Sequence, residues 1–294
     1  MIKKIAVSLS IIFSIFSNNT LAMNLENYSF FDKEHKKIDY DVVLETALKN
    51  DVILFGELHN NPIAHWLQLR LTKDIFKQKK NIVLGGEMFQ SDDQQVIDDY
   101  LNNLISEEHL KAETRLWKNY PTDYKPIMDF AFNNKIKYIG TNIPIRYANM
   151  VSKKGISSLE SLPENVKNNY LPKLPFKIDK ELPNYKNMLL YTGNHGSNNK
   201  INEYMVEAQA SKDATMAFFI NKNLKPNYTF IHYNGTYHSN NFEGIYWYLK
   251  KENSNLKIMT ISSVEQEEID KLEEKNLNLA DFTLCITDDM TKTY

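Results

Sequence analysis

A parallel strand buried on both faces reads as a short, unbroken apolar run. This chain carries five such runs, and each ends in glycine or in residues that can do chemistry. Residues 51–55 lead into Gly56-Glu57-Leu58-His59, and residues 81–85 lead to Glu87. Residues 136–140 lead to Asn142 and Arg146, residues 228–233 to Asn234-Gly235-Thr236-Tyr237-His238, and residues 256–261 to Ser262-Ser263. Helical patterns separate the runs: 62–79 opening on Pro62, a position proline tolerates, then 92–105, 107–118, 124–134, 144–155, 201–224 and 243–250. A last strand is expected over 282–286. Strands alternating with helices imply an α/β fold, with a central, mostly parallel sheet flanked by helices. The helices of about 90–135 are expected to form a cap. They would be joined there by a Pro- and Asn-rich stretch of about 160–200, read as irregular and lid-like.

The N-terminus opens Met-Ile-Lys-Lys, continues through an apolar run from Ile5 to Phe16 and closes on Thr20-Leu21-Ala22. A positive start, a short apolar middle and small residues before a break make a secretory signal peptide. The expectation is removal of 1–22 and a single domain over 23–294, periplasmic or secreted. The single cysteine, Cys285, lies far from that junction, so no cysteine stands where a lipid anchor would attach. It also excludes an intrachain disulfide, and Cys285 is read as a buried strand residue. A net charge of −2 without a basic domain argues against nucleic acid as a partner. No segment reaches the roughly 20 apolar residues of a transmembrane helix.

In open α/β sheets the ligand crevice lies at the carboxyl ends of the strands. Glu57, His59, Glu87 and His238 all fall there and are read as one site. Asn60, Ser91 and Ser262 are read as caps of the helices that follow. His35 and His109 lie in charged stretches and are expected in solvent. His232, inside a strand, is expected to be a hydrogen-bonded core residue, and the acidic run 265–274 an exposed helix face.

Gly56-Glu57-Leu58-His59-Asn60-Asn61-Pro62 with His65, then Gly86-Glu87-Met88-Phe89, resemble the opening signatures of the ChaN family of envelope proteins. Trp117, Tyr124, Pro126, Asn142-x-Pro144-x-Arg146, Asp213-Ala214-Thr215-Met216-Ala217 and Gly235-Thr236-Tyr237-His238 follow in the family's order. The paired G-x-x-H motifs are similar to those of the wider Tiki/TraB group, to which erythromycin esterases are related. The resemblance implies haem binding in haem or iron acquisition, a haem-linked homodimer and an outer-membrane haem receptor as partner. Ferric haem needs an axial ligand and propionate partners. Tyr147 beside Arg146 supplies a candidate for each. The chain holds only three Arg against many Lys, so an Arg kept here points to a bidentate role. Tyr185, Tyr191 and His195 are further candidates within the 160–200 stretch, and His65 is a candidate for haem contact or packing.

A second reading stays open. Glu57, His59, Glu87 and His238 have the chemistry of a divalent-metal hydrolase with an open coordination position, one glutamate serving as general base. A third is a scaffold in which a buried Glu–His–Arg network persists for structure alone.

Overall fold

The computed structural model describes residues 26–193 and 199–294, without the side chains of 190–202. The expected signal peptide, 1–22, lies outside the described residues.

Among the described residues, eight strands form one sheet: β1 Tyr28–Phe31, β2 Lys37–Ile38, β3 Val52–Glu57, β4 Ile82–Gln90, β5 Tyr138–Asn142, β6 Thr229–Gly235, β7 Ile258–Gln266 and β8 Phe282–Thr287. Their spatial order is β2-β1-β8-β7-β3-β6-β4-β5. The five strands expected from the apolar runs, together with β8, pair in parallel. β1 and β2 add an antiparallel edge that apolar patterning does not reveal. Ten α-helices follow in chain order among the described residues: α1 Tyr40–Ala47, α2 Pro62–Gln78, α3 Gln94–Leu101, α4 Glu107–Glu113, α5 Lys125–Asn134, α6 Ile145–Lys154, α7 Glu164–Tyr170, α8 Pro183–Gly193, α9 Asn199–Asn223 and α10 Ile245–Glu252.

The two faces of the sheet bury different side chains because successive strand residues point to opposite sides. Ile53 and Phe55 of β3 pack with Leu67, Leu71 and Ile75 of α2. Val52 and Leu54 pack with Met216 and Ile220 of α9 and with Leu249 of α10. The central strands are therefore buried on both faces, as their unbroken apolar character requires. α2 starts where Asn61 accepts from the backbone N–H groups of Ile63 and Ala64, with Pro62 in the first turn. The cap is thus Asn61, and Asn60 is not one.

Several boundaries differ from the expectation, for one reason. The parallel ladder continues past the last apolar residue, so Glu57, Glu87 and Gly235 are strand residues themselves. Ser262 and Ser263 lie buried inside β7, and Ser262 caps nothing. Ser91 belongs to a 3₁₀ turn whose reciprocal cap is formed by Gln90 and Asp93. The acidic run 265–274 leaves β7 for bends and a 3₁₀ turn rather than a helix. Between 90 and 135 the helices are shorter than their periodicity implies, and 160–200 carries α7, α8 and the start of α9.

Candidate functional site

The carboxyl ends of β3, β4 and β6 meet at one crevice, and two carboxylate–histidine assemblies occupy it. On the α2 side, Glu57 Oε1 lies 3.0 Å from His59 Nδ1 and accepts from the Tyr124 hydroxyl at 2.5 Å. Its Oε2 accepts from Gln68 Nε2 at 2.6 Å. His65 stands 3.6 Å from the same oxygen, bonds Gln68 Oε1 through Nδ1 and reaches the His59 carbonyl through Nε2 at 3.1 Å. His65, Gln68 and Thr72 are spaced by three and four residues, so they share one face of α2. That face is buried, and Thr72 meets the Tyr233 hydroxyl at 2.6 Å.

Tyr124 and Asp123 arrive from a π-helical turn, Tyr120–Tyr124, that runs into α5. Such wide turns reorient side chains and recur at functional sites. Asn119, just before it, donates to the His59 carbonyl and to Asp123 Oδ2, both at 2.6 Å. The Trp117 ring sits edge-on to His59, with centroids 4.6 Å apart. His59 itself remains accessible, its side chain 38% exposed.

On the α9 side, His238 lies in the 3₁₀ turn after β6 and is enclosed by two carboxylates. Its Nδ1 is 2.5 Å from Asp213 Oδ1, and its Nε2 is 3.1 Å from Glu87 Oε1. Glu87 Oε2 accepts from the Gly235 backbone N–H at 2.8 Å, and Asp213 Oδ2 accepts from the Tyr185 hydroxyl at 2.6 Å. The β4–β5 register shifts between Gly86 and Gln90. A bulge of this kind re-aims the residue inside it, here Glu87. The two sides join at Gly235. A Cβ built there would stand 2.8 Å from His59 Cε1 and Nε2 and 3.5 Å from Glu87 Oε2. Only a residue without a side chain lets the His59 ring lie against the end of β6.

The electrostatics follow from this packing. Burial pushes the Glu57 and Glu87 carboxyls up, but the neighbouring histidines and hydrogen-bond donors outweigh it. Both titrate below their usual range, Glu87 far below. Burial disfavours the His238 cation, yet Glu87 and Asp213 override it and raise the imidazole to about 10. His59 is opposed by burial and raised by Glu57 and Glu87. Among the described residues His232 has no carboxylate contact. It is fully buried between Thr141 and Asn234, and burial lowers it to about 4, in keeping with the expected core histidine.

Glu57, His59, Glu87 and His238 therefore lie at one crevice, as two hydrogen-bonded assemblies that adjoin at Gly235. The sequence reading did not give roles to Gln68, Asp123 or Asp213. The three- and four-residue spacing from His65 would have pointed to Gln68; Asp213 heads the Asp213-Ala214-Thr215-Met216-Ala217 motif, which marked the position but not its contact with His238. Among the described residues, no three His, Cys, Asp or Glu side chains are grouped as a metal ion requires. The oxygens of Glu57 and Glu87 are instead taken up by protein donors.

The candidate haem residues fall elsewhere. Tyr147, half-buried in the first turn of α6, packs against the apolar cluster that includes Ile143, Ala148 and Val151. The exposed Arg146 guanidinium lies 4.6 Å above its ring and is ion-paired with Asp92. Arg146 is thus already partnered, which the sequence does not show. His65 is in the buried network, and Tyr185 is sealed against Asp213. His195 and the Tyr191 side chain lie outside the described residues. His109 is exposed, and His35 bonds Asn278.

The profile of the family described as "Haem-binding uptake, Tiki superfamily, ChaN" matches residues 43–249, most of the chain. Among solved structures, a ChaN of Campylobacter jejuni, described with cofacial heme binding, aligns with a TM-score of 0.65 and 22% identity, over 88% of this chain and 97% of its own. An erythromycin esterase variant in its open conformation aligns with a TM-score of 0.48 and 9% identity, over 81% of this chain and 77% of its own. The type III effector HopBA1 aligns at 0.44 and 12% identity, over 85% of this chain and 93% of its own. No curated protein sequence matches the chain.

Proposed function

The chain belongs to the ChaN family of haem-binding uptake proteins, Tiki superfamily, and from that premise we propose that it is an exported ferric-haem carrier in haem or iron acquisition. The observation that carries the reading is the Tyr147–Arg146 pair on the edge of an apolar cluster. A ferric carrier needs a hard anionic ligand, an apolar rest for the macrocycle and cations nearby. Tyr147 is half-buried, rests against the cluster of Ile143, Ala148 and Val151 with their neighbours, and has a guanidinium 4.6 Å over its ring. That cation, shared with Asp92, lies against the ring of the proposed ligand. The residues present therefore fit the group, and bound haem would supply the ferric iron that is the cargo.

The C. jejuni ChaN binds heme cofacially. We extend that arrangement to this chain, with two copies stacking two haems about a twofold axis. Export through cleavage after Ala22, and delivery from or to an outer-membrane haem receptor, complete the proposal.

The test is a haemin titration of residues 23–294 beside Tyr147→Phe. The expected result is a saturable Soret shift with a phenolate-to-iron charge-transfer band that the variant loses. Absence of saturable binding overturns the carrier reading. Sedimentation with and without haemin reads the dimer, and mass determination of the exported protein reads the cleavage point.

One observation favours a second reading, hydrolysis. His59 is the accessible member of the network, oriented by Glu57 and facing a crevice with a second carboxylate, the arrangement of a general base. Turnover of a simple aryl ester that disappears in His59→Ala while the fold persists supports it; equal rates in both proteins dismiss it.

A further inference from the structure

A cavity of about 240 Å³ opens beside the polar network, where the ends of β4 and β5 face the segment after α4 and one edge of α9. Met88, Trp117, Ile143 and Ile145 give it apolar walls. Arg115 and Lys212 flank it. Neither cation has a carboxylate partner among the described residues, whereas Arg146 is paired with Asp92. The carboxylate on the cavity wall, Glu87, does not neutralise them, since its oxygens are engaged by His238 and the Gly235 N–H. Among the described residues Asn142 Oδ1 has no partner, while its amide donates to the Glu87 carbonyl at 3.1 Å.

Two unpaired cations over an apolar, aromatic slot match an amphipathic carboxylate. We propose that this cavity takes one propionate-bearing edge of the porphyrin, with the carboxylate between Arg115 and Lys212 and the ring edge on Trp117 and Ile143. The proposal rests on the haem reading above and reassigns the propionate partner from Arg146. Size agrees. Pockets that enclose a whole drug-sized ligand run from about 300 to 1,000 Å³, so this one holds an edge and leaves the rest of the macrocycle on the surface. Continuity agrees as well, because Ile143 borders both this cavity and the cluster under Tyr147.

The experiment uses haemin and haemin dimethyl ester as probes, read by Soret absorption and by quenching of Trp117 fluorescence, with Trp117→Phe as the reference. Replacing both cations, Arg115→Gln with Lys212→Gln, is expected to weaken haemin binding about tenfold or more. The charge-transfer band should remain intact, because the iron ligand is untouched. The ester should bind the wild type as weakly as the diacid binds the double variant, and Arg115→Lys with Lys212→Arg should restore affinity. Haemin binding that saturates equally in wild type and double variant, or an ester that binds as tightly as the diacid, overturns this proposal and leaves the carrier reading standing. No saturable haemin binding in the wild type overturns both.

Discussion

The α2 and α9 sides of the crevice use the same chemical unit, a histidine on a carboxylate, in opposite ways. Glu57 is buried and His59 is 38% exposed, so that ring exchanges protons with solvent and can meet a ligand. His238 is 5% exposed and held between Glu87 and Asp213. It is a fixed cation inside the sheet–helix interface. Burying an ion pair is expensive, and it persists only when every charged atom is satisfied; here the Gly235 N–H and the Tyr185 hydroxyl complete the second carboxylate oxygens. Depth in the crevice separates a reactive pair from a structural one.

The strongest way to break this comparison is to unpair the buried cation. Asp213→Ala removes one of the two counter-charges and the partner of Tyr185, and a loss of about 3–5 kcal/mol is expected from urea denaturation. A loss under about 1 kcal/mol would show that the α9 side is no more structural than the α2 side.

Next is the pH dependence of stability. His238 is raised to about 10 in the folded chain, against about 6.5 when unfolded. The folded state therefore holds a proton that the unfolded state has lost throughout that interval. The stabilisation is fully present below about pH 6.5 and declines by up to about 1.4 kcal/mol per pH unit as pH rises towards 10. His238→Gln should flatten that slope. Glu57 and Glu87 act with the opposite sign, since their carboxyls are depressed. Their contribution is present above about pH 4.5 and is lost as pH falls below it.

Smaller effects sharpen the other side. Gly235→Ala places a methyl 2.8 Å from the His59 ring. The ring must swing away from Glu57, at about 1–2 kcal/mol, and its NMR titration should move towards the value of a free histidine. His59→Ala should change stability least, by under about 1 kcal/mol, while abolishing any ester turnover. A large destabilisation by His59→Ala would erase the distinction between the two sides.

The sequence by itself determined the α/β class, the five parallel strands with β8 and the strand-end placement of Glu57, His59, Glu87 and His238. Short apolar runs buried on both faces allow one kind of sheet, and the residues that stop each run must sit at its carboxyl edge. It marked His232 and Cys285 as buried because each lies within such a run. Only the tertiary structure decided which polar residues from distant segments would meet them. Asp213 lies 126 positions from Glu87 and Tyr124 lies 67 from Glu57, and no local pattern encodes a contact made by helices folding onto opposite faces of a sheet. The same holds for Arg146, which composition singled out for a ligand and packing gave to Asp92, and for the antiparallel β1–β2 edge, whose strands of four and two residues are too short to carry a period. Residue chemistry is local, but which charges are paired and which are left open depends on distances that the folded chain alone creates.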